Sequence, residues 1–131
     1  MTKQNTEHDA GVHATRDGLA VKDGRHGRGV FAARRFAAGD EVEVCPTLEL
    51  PDASVVGLLG DYVFGSGSEA SALLLLGFGM LYNHSSEPNL EYVEAGETTI
   101  AFMALRAIEP GEELTIDYGR EWWETRGLEP D

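Results

Sequence analysis

"YNHSSEPN" (82–89) follows one of the most apolar runs in the chain, "ALLLLGFGML" (72–81). The chain leaves its core and at once sets an amide, Asn83, beside an imidazole, His84. Asn83 carries two donors and an acceptor, and a neutral His84 carries one of each. Pro88 and Asn89 close the stretch as a turn. Two readings stand side by side. One is a rigid polar loop that holds a small zwitterionic ligand. The other is an Asx-turn next to a core histidine bonded to backbone. His8, His13 and His26 stand at no metal-ligand spacing to His84, so no metal site is expected.

Outward from this stretch the pattern is one of short strands and glycine turns. "LAVK" (19–22), "GVFAA" (29–33) and "YVF" (62–64) read as strands, and "NLEYVE" (89–94) with "TTIAFMAL" (98–105) as a hairpin. "EVEVCPTLEL" (41–50) alternates, with Val42, Val44 and Leu48 on one face and acids between them. Pro51 and Asp52 suit a helix start, so "DASVVGLLGDY" (52–62) reads as a helical turn or two. "EPGEELTIDYG" (109–119) is a turn followed by a strand, and "REWWETRG" (120–127) a short aromatic helix. The expectation is a mostly β fold of small sheets with short helices. Nothing alternates strand and helix as a nucleotide-binding α/β sheet would. Residues 1–17 read as a flexible N-terminal arm, 18–127 as one domain and 128–131 as a tail.

The chain has 131 residues and a formal charge of −13. Residues 1–36 hold seven Lys/Arg against four Asp/Glu, whereas 37–131 hold three Arg against nineteen acids. Such a domain repels nucleic-acid backbones and attracts basic partners, so no direct nucleic-acid contact is expected. No apolar run approaches the roughly 20 residues of a membrane span. The polar N-terminus lacks the apolar stretch of a signal peptide, so the expected location is cytoplasmic or otherwise intracellular. The single cysteine, Cys45, can form no internal disulfide and reads as a buried small apolar residue.

Three further constellations carry chemistry. Glycines at 24, 27 and 29 in "GRHGRGVFA" (24–32) let the backbone approach something closely, or simply make a hairpin turn. In "GEELTIDYG" (111–119) Tyr118 ends a strand whose apolar positions are Leu114 and Ile116. "EWWE" (121–124) puts two tryptophans in a polar tail, where they cap the core or close over a ligand.

The order of these pieces resembles the SET domain of protein lysine methyltransferases. "GRGVFAARRFAAGDEV" (27–42) resembles the family's opening Gly-x-Gly-Val-Phe-Ala segment. "NHSSEPN" (83–89) resembles its Asn-His-Ser-Cys-x-Pro-Asn, and "GEELTIDYG" its Gly-Glu-Glu-Leu-Thr-x-Asp-Tyr-Gly. The likeness runs from about residue 18 to 124 and is nearest to small stand-alone SET proteins of viruses and bacteria. Ser86 stands where the family often has a zinc-binding Cys, so this chain resembles a zinc-independent member. Met80 replaces a frequent Arg. Ile116 replaces a frequent Phe or Tyr, which leaves open whether one, two or three methyl groups are added.

The resemblance implies a SET-domain β-fold with a C-terminal pseudoknot, in which the segment near Tyr118 threads beneath a loop near Asn83. It implies S-adenosylmethionine-dependent methyl transfer to the ε-amine of lysine in a basic protein, such as a histone-like tail. His26, Gly27 and Arg28 would bind the methionine part of the cofactor, Asn83 and His84 its amino group and adenine. Trp122 would stack on the adenine or wall the lysine channel. Tyr118 would be catalytic, with Tyr62 beside it, and Tyr62, Tyr92 and Trp122 would line the substrate channel. The alternative is a SET fold kept as an inactive peptide-binding module. A viral or eukaryotic source would place the protein in a nucleus or on host chromatin. Apolar strand edges in so small a domain are compatible with a homodimer.

Overall fold

The computed structural model describes residues 11–128. Its first strand, β1 (Val12–Arg16), turns at Asp17-Gly18 into β2 (Leu19–Gly24), which pairs in turn with β3 (Gly27–Ala32). Both Asp17 and Gly18 have positive φ, 41° and 86°. An Asp-Gly pair in that conformation matches the twist of two antiparallel strands. Residues 11–17, placed in the arm by sequence, therefore form one limb of a hairpin; the rest of that arm and residues 129–131 lie outside the described residues.

β4 (Glu41–Pro51) leads through two 3₁₀ turns, Asp52–Ser54 and Gly57–Asp61, to the short β5 (Phe64–Gly65) and to β6 (Ser71–Leu75). Then come β7 (Asn83–His84), β8 (Leu90–Gly96), β9 (Thr99–Ala104) and β10 (Glu113–Ile116), and finally α1 (Arg120–Glu124). Tyr62 and Val63, expected in a strand, precede β5 instead, because Tyr62 and Val63 bond back to Leu59 in the preceding turn.

Two five-stranded sheets result. One runs β1-β2-β3-β10-β7, the other β5-β6-β4-β9-β8. Their facing side chains make one core. Val30, Phe36, Phe102, Ile108 and Leu114 are wholly buried in it, and Leu19, Leu75 and Leu90 nearly so. Each such side chain is worth about 1.5–3 kcal/mol of burial.

The alternation expected along β4 fails at one place. The β4–β9 register slips between Glu41 and Glu43. An extra residue in one strand resets which side chains face inward. Val42 is buried, but so are Glu43 and Cys45, while Val44 and Leu48 face out. A glutamate read as solvent-facing thus lies in the interior.

Candidate active site

The polar stretch 82–89 is sewn to β10 by its own side chains. β7 runs parallel to β10, with Asn83 opposite Thr115 and His84 opposite Ile116. Five residues on, buried Asn89 extends this seam. Its Nδ2 donates to the Glu113 carbonyl and its Oδ1 accepts from the Thr115 N–H, both at 2.8 Å. One side-chain amide thereby imitates a strand neighbour and satisfies buried backbone groups. This pairing brings the second and third motifs side by side, as the threaded arrangement requires.

Asn83 reaches the first motif as well. Its Nδ2 donates to the Arg28 carbonyl at 3.1 Å and to Glu113 Oε2 at 2.7 Å. Gly29 lies under this contact: a Cβ there would collide with Asn83 Nδ2 and the Glu113 carboxylate. The glycine is needed so that three segments can meet. His84 Nδ1 accepts the Tyr118 backbone N–H at 3.0 Å. A backbone N–H can only donate, so the ring proton sits on Nε2. That Nε2 is buried with no partner, and so is Nε1 of Trp123, whose ring packs edge-on to His84 at 4.9 Å.

Two cavities flank Tyr118. The first, of about 450 Å³, is walled by Tyr62, Phe64, Tyr92, Tyr118 and Trp122, with Asp61 and Arg126 also on its lining. The second, of about 540 Å³, is walled by His13, Asp23, His26, Arg28 and Asn83. Tyr62, Met80, Tyr82 and Tyr118 line both. These four residues, the throat, stand between an aromatic slot and a polar chamber. The Tyr118 hydroxyl donates to the Tyr82 carbonyl at 3.0 Å. Burial, and then the nearby Tyr62 phenol and Glu113 carboxylate, hold Tyr118 ionisation above the usual tyrosine value. It is therefore a hydrogen-bonding hydroxyl at neutral pH and not a base.

Beneath the throat lies a carboxylate. Glu43 accepts the Tyr82 hydroxyl at 2.6 Å, the Phe78 N–H at 2.8 Å and Arg16 Nη1 at 3.2 Å. Burial, and after it the Glu43 charge, pushes the Tyr82 phenol well above its ordinary pKa. The chain from Glu43 through Tyr82 to the Tyr118 hydroxyl links a buried acid to the throat.

The residues singled out in the sequence largely converge. Tyr118 and Tyr62 sit at the throat, Tyr92 and Trp122 in the aromatic slot, and His26, Arg28 and Asn83 in the chamber. Gly27 stands between His26 and Arg28 at φ 88°, with open space where a side chain would be. His84 lines neither cavity and instead packs behind Tyr118, their ring centroids 5.2 Å apart. Trp122 belongs to the slot and not to the chamber, with a guanidinium covering its ring. Sequence reasoning missed Tyr82, Glu43, Arg126, and the His13–Asp23 pair held at 2.8 Å. Tyr82 had a signal, since it directly precedes Asn83. Glu43 had none, because only the bulge turns it inward.

The chamber suits a small polar ligand. Its volume falls within the roughly 300–1,000 Å³ of small-ligand sites. His26 and Arg28 offer donors to a carboxylate, Asp23 an acceptor for hydroxyls, and Gly27 a bare backbone.

Residues 27–119 match the family described as SET domain. A Schizosaccharomyces pombe histone-lysine N-methyltransferase, H3 lysine-37 specific, is 33% identical over 119 residues, covering 86% of this chain and 80% of that protein. Among solved structures, a candidate histone methyltransferase of Plasmodium falciparum superposes with a TM-score of 0.72 at 27% identity, covering 83% of this chain and 99% of the other.

Proposed function

The chain belongs to the SET-domain family and is a protein-lysine methyltransferase, and from that premise we propose that it moves the methyl group of S-adenosylmethionine to the lysine ε-amine of a basic, histone-like protein. The observation that best supports this reading is the throat. A group-transfer enzyme needs two ligands that meet head to head, and here two cavities share one wall of Tyr62, Met80, Tyr82 and Tyr118.

In this reading the polar chamber takes the cofactor. His26, Gly27 and Arg28 would hold its carboxylate end, and Asn83 would orient its amino group. When bound there, it supplies an electrophilic methyl group carried on a sulfonium. The aromatic slot takes the lysine stem, with Tyr62, Tyr92 and Trp122 offering ring faces to its methylenes.

The chain's own contribution is positioning and selection of the neutral amine. A lysine amine has a reference pKa of ~10.4. Desolvation in the slot, and a sulfonium bound beside it, would disfavour its charged form and so lower that value. Tyr118 retains its proton through neutrality, so the amine must lose its own proton to water. Because the Tyr118 hydroxyl already donates to the Tyr82 carbonyl, its oxygen lone pairs are left to accept an N–H from the amine. That contact aims the nitrogen lone pair through the throat. Orientation of this kind can supply much of a rate enhancement without an acid or base.

The formal charge of −13 supports a basic substrate. A histone-like substrate would place the enzyme where basic tails are exposed, in a nucleus or on host chromatin, or in the cytoplasm on another lysine-rich protein. The test is a calorimetric titration with S-adenosylmethionine, with Asn83→Ala alongside. Micromolar-range binding that the substitution weakens is expected. A folded protein that binds no cofactor, with or without a lysine-rich peptide, would overturn the reading.

A further inference from the structure

The family match ends at residue 119, yet one wall of the aromatic slot comes from beyond it: Trp122, Thr125 and Arg126. α1 is five residues long. So short a helix has no stability of its own and must be held by outside contacts. Trp122 and Trp123 pack on Tyr118 and His84 on one side, and Arg126 supplies the contacts across the slot. Its Nη2 donates to the Gly60 carbonyl at 2.8 Å and its Nε to Asp61 Oδ1 at 3.0 Å. Its Nη1 donates back to the Trp122 carbonyl at 3.0 Å, and its guanidinium carbon lies 4.1 Å from the centroid of the Trp122 ring.

Gly60 and Asp61 end the 3₁₀ turn that leads directly into Tyr62. One guanidinium therefore ties the tail wall of the slot to the wall opposite. Tyr118, Trp122 and Arg126 fall four residues apart, and the Tyr118 and Trp122 rings are 4.8 Å from centroid to centroid. The clamp thus runs from the throat to the rim of the slot.

We propose that Arg126 is a positioning residue for the protein substrate: its fork, bonded to Gly60 and Asp61 and laid over Trp122, holds α1 closed as a wall of the lysine slot. This rests on the lysine-methyltransferase reading of the slot. A lone surface ion pair would be too weak to do this. Here one planar group makes four directed hydrogen bonds, two of them to Gly60 and Asp61 across the slot, and a ring contact at once. Lysine offers a point charge in place of the fork, so it should not substitute.

The chain contains two tryptophans, Trp122 and Trp123. All indole emission therefore reports on this tail. The experiment uses the full chain with Arg126→Ala, Arg126→Lys, Asp61→Asn and the Arg126→Ala/Asp61→Asn pair. Acrylamide quenching, the thermal midpoint, the calorimetric Kd for S-adenosylmethionine, and kcat and KM on a single-lysine histone H3 tail peptide are measured.

Both Arg126 variants should be quenched about twofold more readily and show a KM raised about tenfold, as when one clustered contact of an interface is lost. Cofactor Kd should stay within about twofold, since the chamber lies on the far side of the throat. Asp61→Asn should fall between, and the double variant should be no worse than Arg126→Ala, because both substitutions open the same clamp. Unchanged quenching in Arg126→Ala would overturn the proposal, as would a Lys variant indistinguishable from wild type. Parallel losses of cofactor binding, kcat and thermal midpoint would reduce Arg126 to a general stabiliser and also overturn it. If the wild type methylates no peptide, the functional reading fails, and the quenching arm still decides whether the clamp exists.

Discussion

Glu43→Gln tests the buried link to the throat. The carboxylate takes two donors on Oε2, the Phe78 N–H and Arg16, and one on Oε1, the Tyr82 hydroxyl. A glutamine can present its oxygen to only one of these sides. With the oxygen kept toward Phe78 and Arg16, the new NH₂ faces the Tyr82 hydroxyl. That hydroxyl must then accept, and its own proton loses its partner inside the core. One charge-assisted bond is lost, at about 1.5–3 kcal/mol, and two others weaken from charged to neutral. Arg16 is half exposed and turns to water at little cost. The net destabilisation is about 3 kcal/mol. For a chain of this size that lowers the thermal midpoint by about 10 °C. Glu43→Ala should cost more, about 4–5 kcal/mol, because it also leaves a cavity. The Tyr82 carbonyl accepts the hydroxyl proton that positions Tyr118, so kcat should fall in the Gln variant while cofactor Kd holds. Scanning calorimetry and steady-state kinetics read both effects. A Gln variant that melts within about 2 °C of the wild type would refute the assignment of Glu43 as the interior acceptor for these donors.

Tyr118→Phe should lower kcat by about a hundredfold, the scale for losing one orienting contact, with cofactor Kd unchanged by calorimetry. Gly29→Ala should weaken cofactor binding and lower the thermal midpoint, because its Cβ strikes Asn83 and Glu113; a variant with wild-type Kd and midpoint would show that the three segments do not need their close approach. Stability should also fall at alkaline pH. Burial pushes the Cys45 thiol from 9.0 up to about 12, and Tyr82, Tyr92 and Tyr118 are raised above 10 mainly by burial. Above pH 9 the folded chain holds protons that the unfolded chain releases, so unfolding gains with each pH step. The thermal midpoint should be insensitive to these groups below pH 9 and decline above it, and Cys45→Ala should flatten the first part of that decline.

Much of this architecture could be read from local pattern. The strands at 19–24, 27–32 and 41–51, the hairpin 90–104 and the helix at 120–124 announce themselves by period and turn residues. What could not be read was set by pairings distant in sequence or by a single extra residue. The parallel β7–β10 contact joins residues about thirty positions apart, and only the family resemblance anticipated it. The bulge near Glu43 reverses a face that perfect alternation would have kept outside. The Asp17-Gly18 turn was a legible hairpin signal, yet the polar character of β1 made it look like an arm; four of its five residues are exposed. The sequence left open whether Trp122 would stack on the cofactor or wall the lysine channel. Trp122 faces the slot, while Trp123 stacks on Tyr118 with rings 6.1 Å apart. Arg126 carried no signal in the sequence, because its partners Gly60 and Asp61 lie more than sixty positions away.

The most direct measurement is mass spectrometry of a histone H3 tail peptide after incubation with the protein and S-adenosylmethionine, with Tyr118→Phe in parallel. The expected result is a mass gain of one or more methyl groups, mapped by fragmentation to a lysine, and nearly abolished in the variant. A folded wild-type protein that binds cofactor yet leaves every lysine of this and other lysine-rich peptides unmodified would contradict it.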